Sequence, residues 1–168
     1  MRTNLILIGF MGTGKTAIGR RLAVHLKKEF YDTDLEVEKT TGLTISQLFQ
    51  KHGEIRFRSE ERLILKQLLK KENCVLATGG GIVLDADNVE LMKKRGIIIC
   101  LMARPEVIYQ RVKKRENRPL LQKGDLKQII KQLLTERQAY YNCADYYLDT
   151  SDLHFDEIIE KIVSLINE

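Results

Sequence analysis

The chain has 168 residues, 43% of them hydrophobic and 30% charged, with a net charge of +5. That is one domain with enough apolar matter for a sizeable core; its longest apolar run, 97–103, is far too short to cross a bilayer, and nothing resembles a signal peptide. The positive charge suits anionic ligands, but Lys and Arg are spread along the chain without an aromatic-basic recognition motif, which argues against nucleic acid and for a small anionic partner.

Leu5-Ile6-Leu7-Ile8 is a short apolar run ending at Gly9 and reads as a buried strand. Residues 9–16, Gly-Phe-Met-Gly-Thr-Gly-Lys-Thr, fit G-x-x-x-x-G-K-[ST], and Ile18, Leu22 and Leu26 then recur at helical spacing. Strand, loop and helix are the context a phosphate-binding loop requires. Gly9, Gly12 and Gly14 let the backbone wrap close to phosphate oxygens with its N–H groups inward, and the helix N-terminus adds partial positive charge. Lys15 is expected to reach the β- and γ-phosphates and the Thr16 hydroxyl to complete a Mg²⁺ shell. The loop, with Thr13 and Ala17, therefore reads as a nucleoside triphosphate site.

A short strand at 29–32 runs into Asp32-Thr33-Asp34. Two carboxylates two apart on extended backbone point to one side, so one suits the Mg²⁺ water shell and the other an acceptor hydroxyl. A polar turn with a helix cap is the alternative. Residues 35–61 form a helical excursion in which Arg58 and Glu61 share a face, either as a pre-oriented carboxylate clamp or as an exposed ion pair. The strand at 74–78 ends in Thr78-Gly79-Gly80-Gly81; three glycines weaken local structure and make sense where a ligand approaches bare backbone. A further strand covers 97–102. The polar segment 113–125 has the composition of a mobile loop and carries Arg118-Pro119-Leu120-Leu121, where an Arg can neutralise γ-phosphate charge. Lys113-Lys114-Arg115 is explained by a solvated helix face or a loop. Arg137, on a later helical stretch with Tyr140 and Tyr141, is a second carboxylate contact or plain surface. The last strand is 146–149, and the terminal helix with Ile158, Ile159 and Ile162 is a packing element. Cys74, Cys100 and Cys143 read as free thiols of a reducing cytoplasm, and no Cys or His cluster has metal-ligand spacing.

Buried strands alternating with helices imply a parallel sheet covered on both faces, with its ligands at the strand C-termini. The segments following each strand are the ones that carry the motifs.

Taken together these segments closely resemble the shikimate kinase family, P-loop kinases related to the nucleoside monophosphate kinases. The matches are 9–16, D-T-D at 32–34, F-R-x-x-E at 57–61, G-G-G at 79–81, R-P-L-L at 118–121 and E-R-x-x-x-Y at 136–141. The resemblance implies an α/β three-layer fold with a five-stranded parallel sheet of order 2-3-1-4-5. It further implies a single kinase domain, a substrate-binding insertion at 33–61, a mobile lid at 113–125, and a cytoplasmic monomer that uses ATP and Mg²⁺. It assigns Asp34 as general base on the phosphorylated hydroxyl. Arg58 and Arg137 clamp the shikimate carboxylate, and Glu61 orients Arg58. Gly80 offers its N–H to substrate, flanked by Gly79 and Gly81. Lys15 and Arg118 hold the transferring phosphoryl group, and Thr16, with Asp32 through water, serves the metal. Arg111 matches the position that stacks on adenine. Some members carry a proline near 155 on the other adenine face; here Asp152-Leu153-His154-Phe155 fills that region, with Phe155 or His154 the substitute.

Overall fold

The computed structural model describes residues 2–114 and 125–168. Most of the expected lid, with Arg118, lies outside the described residues.

Five strands alternate with helices along the chain: β1 (Asn4–Ile8), α1 (Lys15–Leu26), β2 (Glu29–Asp32), α2 (Thr33–Thr41), α3 (Ile45–Leu68), β3 (Cys74–Ala77), α4 (Ala86–Arg95), β4 (Gly96–Met102), α5 (Pro105–Val112), α6 (Leu126–Arg137), β5 (Tyr146–Asp149) and α7 (Phe155–Ile166). All pairings are parallel and the order is β2-β3-β1-β4-β5, as expected. Every residue of β1 and β3 is buried, which is why these strands read as unbroken apolar runs rather than alternating ones. Successive side chains go to opposite faces. Ile6, Ile8, Leu76, Ile98 and Cys100 pack with α3, α4, α5 and α6, while Leu5, Leu7, Val75, Ile99 and Leu101 pack with α1 and α7. Ile158, Ile159 and Ile162 of α7 are buried in that second layer, the packing role read from their spacing.

Because all five strands run the same way, their C-termini share one edge, and the loops leaving that edge build a common surface. The excursion at 35–61 resolves into α2 and α3 as far as Glu61. Gly53, at φ 80° and ψ 175°, is non-helical and breaks α3, so Arg58 and Glu61 belong to its second segment. Among the described residues no helix is long and apolar enough to cross a membrane.

Candidate functional site

The phosphate-type loop leaves β1 as expected. Gly12 and Gly14 take φ of 81° and 96°, left-handed values that L side chains rarely adopt, and Gly14 caps α1. Space is a second reason for Gly12: a Cβ there would lie 2.7 Å from Val112 Cγ1 of α5. The Lys15 ammonium folds over the loop, donating to the carbonyls of Gly9 (2.7 Å) and Phe10 (2.9 Å).

Asp32 and Asp34 do not both lie on extended backbone, as the spacing suggested. Asp32 ends β2 and is the N-cap of α2, its Oδ1 accepting from the N–H groups of Asp34 (2.9 Å) and Leu35 (3.2 Å); Asp34 is already helical. The cap satisfies orphan amides and so outweighs strand continuation. It also leaves Oδ2 to accept from the Thr16 hydroxyl at 2.6 Å. The helix-cap reading and the functional reading thus share one carboxylate, each using a different oxygen.

Across the cleft, Arg58 donates to Glu61 at 3.0 Å, and Glu54 sits at 3.4 Å on its other side. The exposed-pair alternative fails, since the Glu61 side chain is only 1% exposed. Burial pushes the Glu61 carboxyl up to about 7, against the pull of Arg58 and with a smaller push from Asp34. A raised acid favours folding while protonated, so this stabilisation is full below the ordinary carboxyl value of 4.5 and is lost as pH rises through about 7. Relative to Glu61→Gln, the native protein is therefore expected to lose about 3 kcal/mol of stability between pH 4 and pH 8. Urea denaturation of both proteins across that range checks this; parallel curves would contradict the buried-acid assignment.

The glycine run explains itself in the structure through space rather than conformation. None of Gly79, Gly80 and Gly81 has positive φ. A Cβ on Gly79 would lie 2.8 Å from both Asp34 Oδ1 and Glu61 Oε2, and one on Gly81 would strike the Arg58 guanidinium. A Cβ on Gly80 would meet the Met11 amide at 3.2 Å and Arg137 Nη1 at 3.6 Å. The three glycines are where the acidic and basic side chains of α2, α3 and α6 converge on bare backbone. Arg137 arrives at the end of α6, only 5% exposed, so it is not plain surface.

A cavity of about 500 Å³ joins these groups; its lining includes Gly12, Lys15, Asp34, Arg58, Gly80 and Arg137. Gly14, Thr16, Ala17, Asp32, Glu61, Gly79 and Gly81 line it as well. The phosphate-type loop, the Asp34 carboxylate and two guanidiniums, Arg58 partly exposed and Arg137 buried, share this lining. The relation of this cavity to known proteins follows from comparison. The shikimate kinase family profile matches residues 11–167. The chain belongs to the shikimate kinase family.

A shikimate kinase of Pelotomaculum thermopropionicum is 54% identical over 98% of this chain and 96% of its own length. The structure of a shikimate kinase from Acinetobacter baumannii in complex with shikimate superposes with a TM-score of 0.95 at 41% identity, covering 99% of this chain and 93% of that one. The shikimate kinase of Bacteroides thetaiotaomicron gives 0.92 at 31% identity over 99% of both chains.

The two positions that the family resemblance linked to adenine have protein partners. Arg111 donates to the Gly12 carbonyl (3.2 Å) and to Thr150, both hydroxyl (3.2 Å) and carbonyl (3.2 Å). Phe155, 40% exposed at the start of α7, has the Arg21 guanidinium 3.7 Å above its ring. His154 is the N-cap residue of α7, its amide donating to Glu157. Thr150 is the residue sequence reasoning missed. Fully buried after β5, its hydroxyl lies within donating distance of the carbonyls of Thr13 (3.3 Å) and Met102 (3.1 Å), so that β4, β5 and the phosphate-type loop meet around one oxygen. Its place just beyond a predicted strand was the one available signal, and a lone Thr there is unremarkable.

Proposed function

We propose that this cleft transfers the γ-phosphoryl group of ATP to the 3-hydroxyl of shikimate, giving shikimate 3-phosphate and ADP, a step of aromatic amino acid biosynthesis. The observation that carries the reading is one cavity lined both by Lys15 and Thr16 of the phosphate-type loop and by Asp34, Arg58, Glu61 and Arg137. A carboxylate substrate is matched by two guanidiniums, one of them braced by Glu61. A hydroxyl of the same substrate then falls to Asp34, which accepts its proton late in the transfer. Lys15 spreads the charge that grows on the moving phosphoryl group. Gly12, Thr13, Gly14, Lys15, Thr16 and Ala17 hold the nucleotide phosphates, with Arg111 and Phe155 at its base. Gly79, Gly80 and Gly81 shape the acceptor pocket.

The hydroxyl of Thr16 and carboxylate of Asp32, 2.6 Å apart, form a small hard-oxygen donor set. That fits Mg²⁺, which takes one or two protein oxygens and keeps its waters. Bound at Thr16, with Asp32 reaching it through water, Mg²⁺ would supply charge neutralisation at the phosphates. Otherwise catalysis rests on positioning and on excluding water, which competes for the γ-phosphate. A cytoplasmic setting is in keeping with three free cysteines, and a monomer rests on the family resemblance alone.

Arg118 carries its role on the R-P-L-L motif alone: Arg118→Ala is expected to slow turnover far more than it weakens shikimate binding, and a loss confined to the shikimate KM would remove it from the phosphoryl site. The function itself is tested by coupled ADP release with shikimate, gluconate and nucleoside monophosphates offered in parallel. ADP release driven only by gluconate, or by none of them, would defeat the proposal.

A further inference from the structure

One hydroxyl lies behind the acceptor end of the cleft without touching the cavity. Tyr141 follows α6 in a 3₁₀ segment, Gln138–Cys143, and its ring is buried among the side chains on the α3 face of the sheet. Its hydroxyl donates to the Gly80 carbonyl at 2.6 Å, 61 residues away. Burial raises the phenol pKa, and the Arg137 guanidinium beside it pulls the other way, so the phenol stays protonated and able to donate. Gly80 is also the residue whose Cα faces Met11 N of the phosphate-type loop and Arg137 Nη1.

We infer that Tyr141 is a positioning residue for the acceptor half of the site: through one hydroxyl it holds the Gly80–Gly81 peptide plane and the Arg137 guanidinium in register. This rests on the reading of the cleft as a shikimate site. A trans peptide is planar, so anchoring the Gly80 carbonyl also fixes the Gly81 N–H on the opposite edge. Glycine needs such an anchor more than any other residue, because without a Cβ it has the widest backbone freedom to lose. Three glycines in succession cannot hold their own amides in one direction. The hydrogen bond from Tyr141 supplies that constraint from outside the pocket, where it does not compete with substrate. Arg137 sits four residues before Tyr141, so the same short segment delivers both the guanidinium and the anchor.

Tyr141→Phe keeps the buried ring and removes only the hydroxyl. The expected result is a shikimate KM raised about tenfold with the ATP KM within twofold, while Tyr140→Phe, a change at an exposed neighbour, leaves both unchanged. On the same samples, thermal shift with each ligand separates positioning from folding: the shift given by ATP and Mg²⁺ persists in Tyr141→Phe and most of the shift given by shikimate is lost. A merely structural hydroxyl would lower the melting temperature and leave both KM values alone, or move them together; either outcome overturns the inference. Wild-type enzyme that releases no ADP with shikimate would instead sink the functional reading on which it stands.

Discussion

Replacing Asp34 by asparagine is expected to lower kcat by roughly two to four orders of magnitude, the range for a positioned general base. Asparagine is nearly isosteric, and the α2 N-cap is made by Asp32, so the local fold survives. What disappears is the proton acceptor and one negative charge. The shikimate KM should change far less than kcat, because the carboxylate contacts of Arg58 and Arg137 are untouched. Coupled ADP release at saturating ATP measures this; a kcat within fivefold of wild type would remove Asp34 from the base role. A second readout is independent of catalysis. Asp34 contributes to the raised pKa of Glu61, so in Asp34→Asn the Glu61 titration should move down. The alkaline loss of stability should then begin at the same pH, be complete at lower pH and be smaller.

Replacing Arg58 by lysine is expected to raise the shikimate KM roughly 10- to 100-fold, with a smaller effect on kcat. A hydrogen bond to a charged group contributes about 1.5–3 kcal/mol, and roughly 1.4 kcal/mol corresponds to a tenfold change. Arg58 spans Glu61 on one side and Glu54 on the other, with Gly81 against its face. A planar fork can hold Glu61 with one nitrogen and present others to a substrate carboxylate, whereas an ammonium is a point charge. Lysine still compensates the buried Glu61, so the protein folds and the loss reads as recognition. Shikimate affinity by calorimetry checks this, and an unchanged dissociation constant would take Arg58 out of the carboxylate site.

Most of the fold was legible because its signals are local. Ile97–Met102 is a continuous apolar run next to a glycine and reads as a strand, and Ile98 to Leu101 are buried. The α2–α3 excursion was less clear, since the Gly53 break depends on a single positive-φ residue inside an otherwise helical pattern. The extended geometry expected for Asp32-Thr33-Asp34 was lost to helix capping, a competition between two local rules that spacing alone does not decide.

By itself the sequence determined the β-α alternation, the strand ends to which chemistry is confined, and the residue types waiting there. Those follow from periodicity and from backbone freedom at glycine, both of which act over a few residues. Tertiary structure alone decided that the Glu61 partner of Arg58 is buried, so that the two are no surface pair, that Gly79 and Gly81 make room for carboxylates and a guanidinium, and that Tyr141 and Thr150 reach across the molecule to backbone carbonyls. Burial and long-range hydrogen bonding depend on what packs from elsewhere in the chain, and no window of local sequence contains that information.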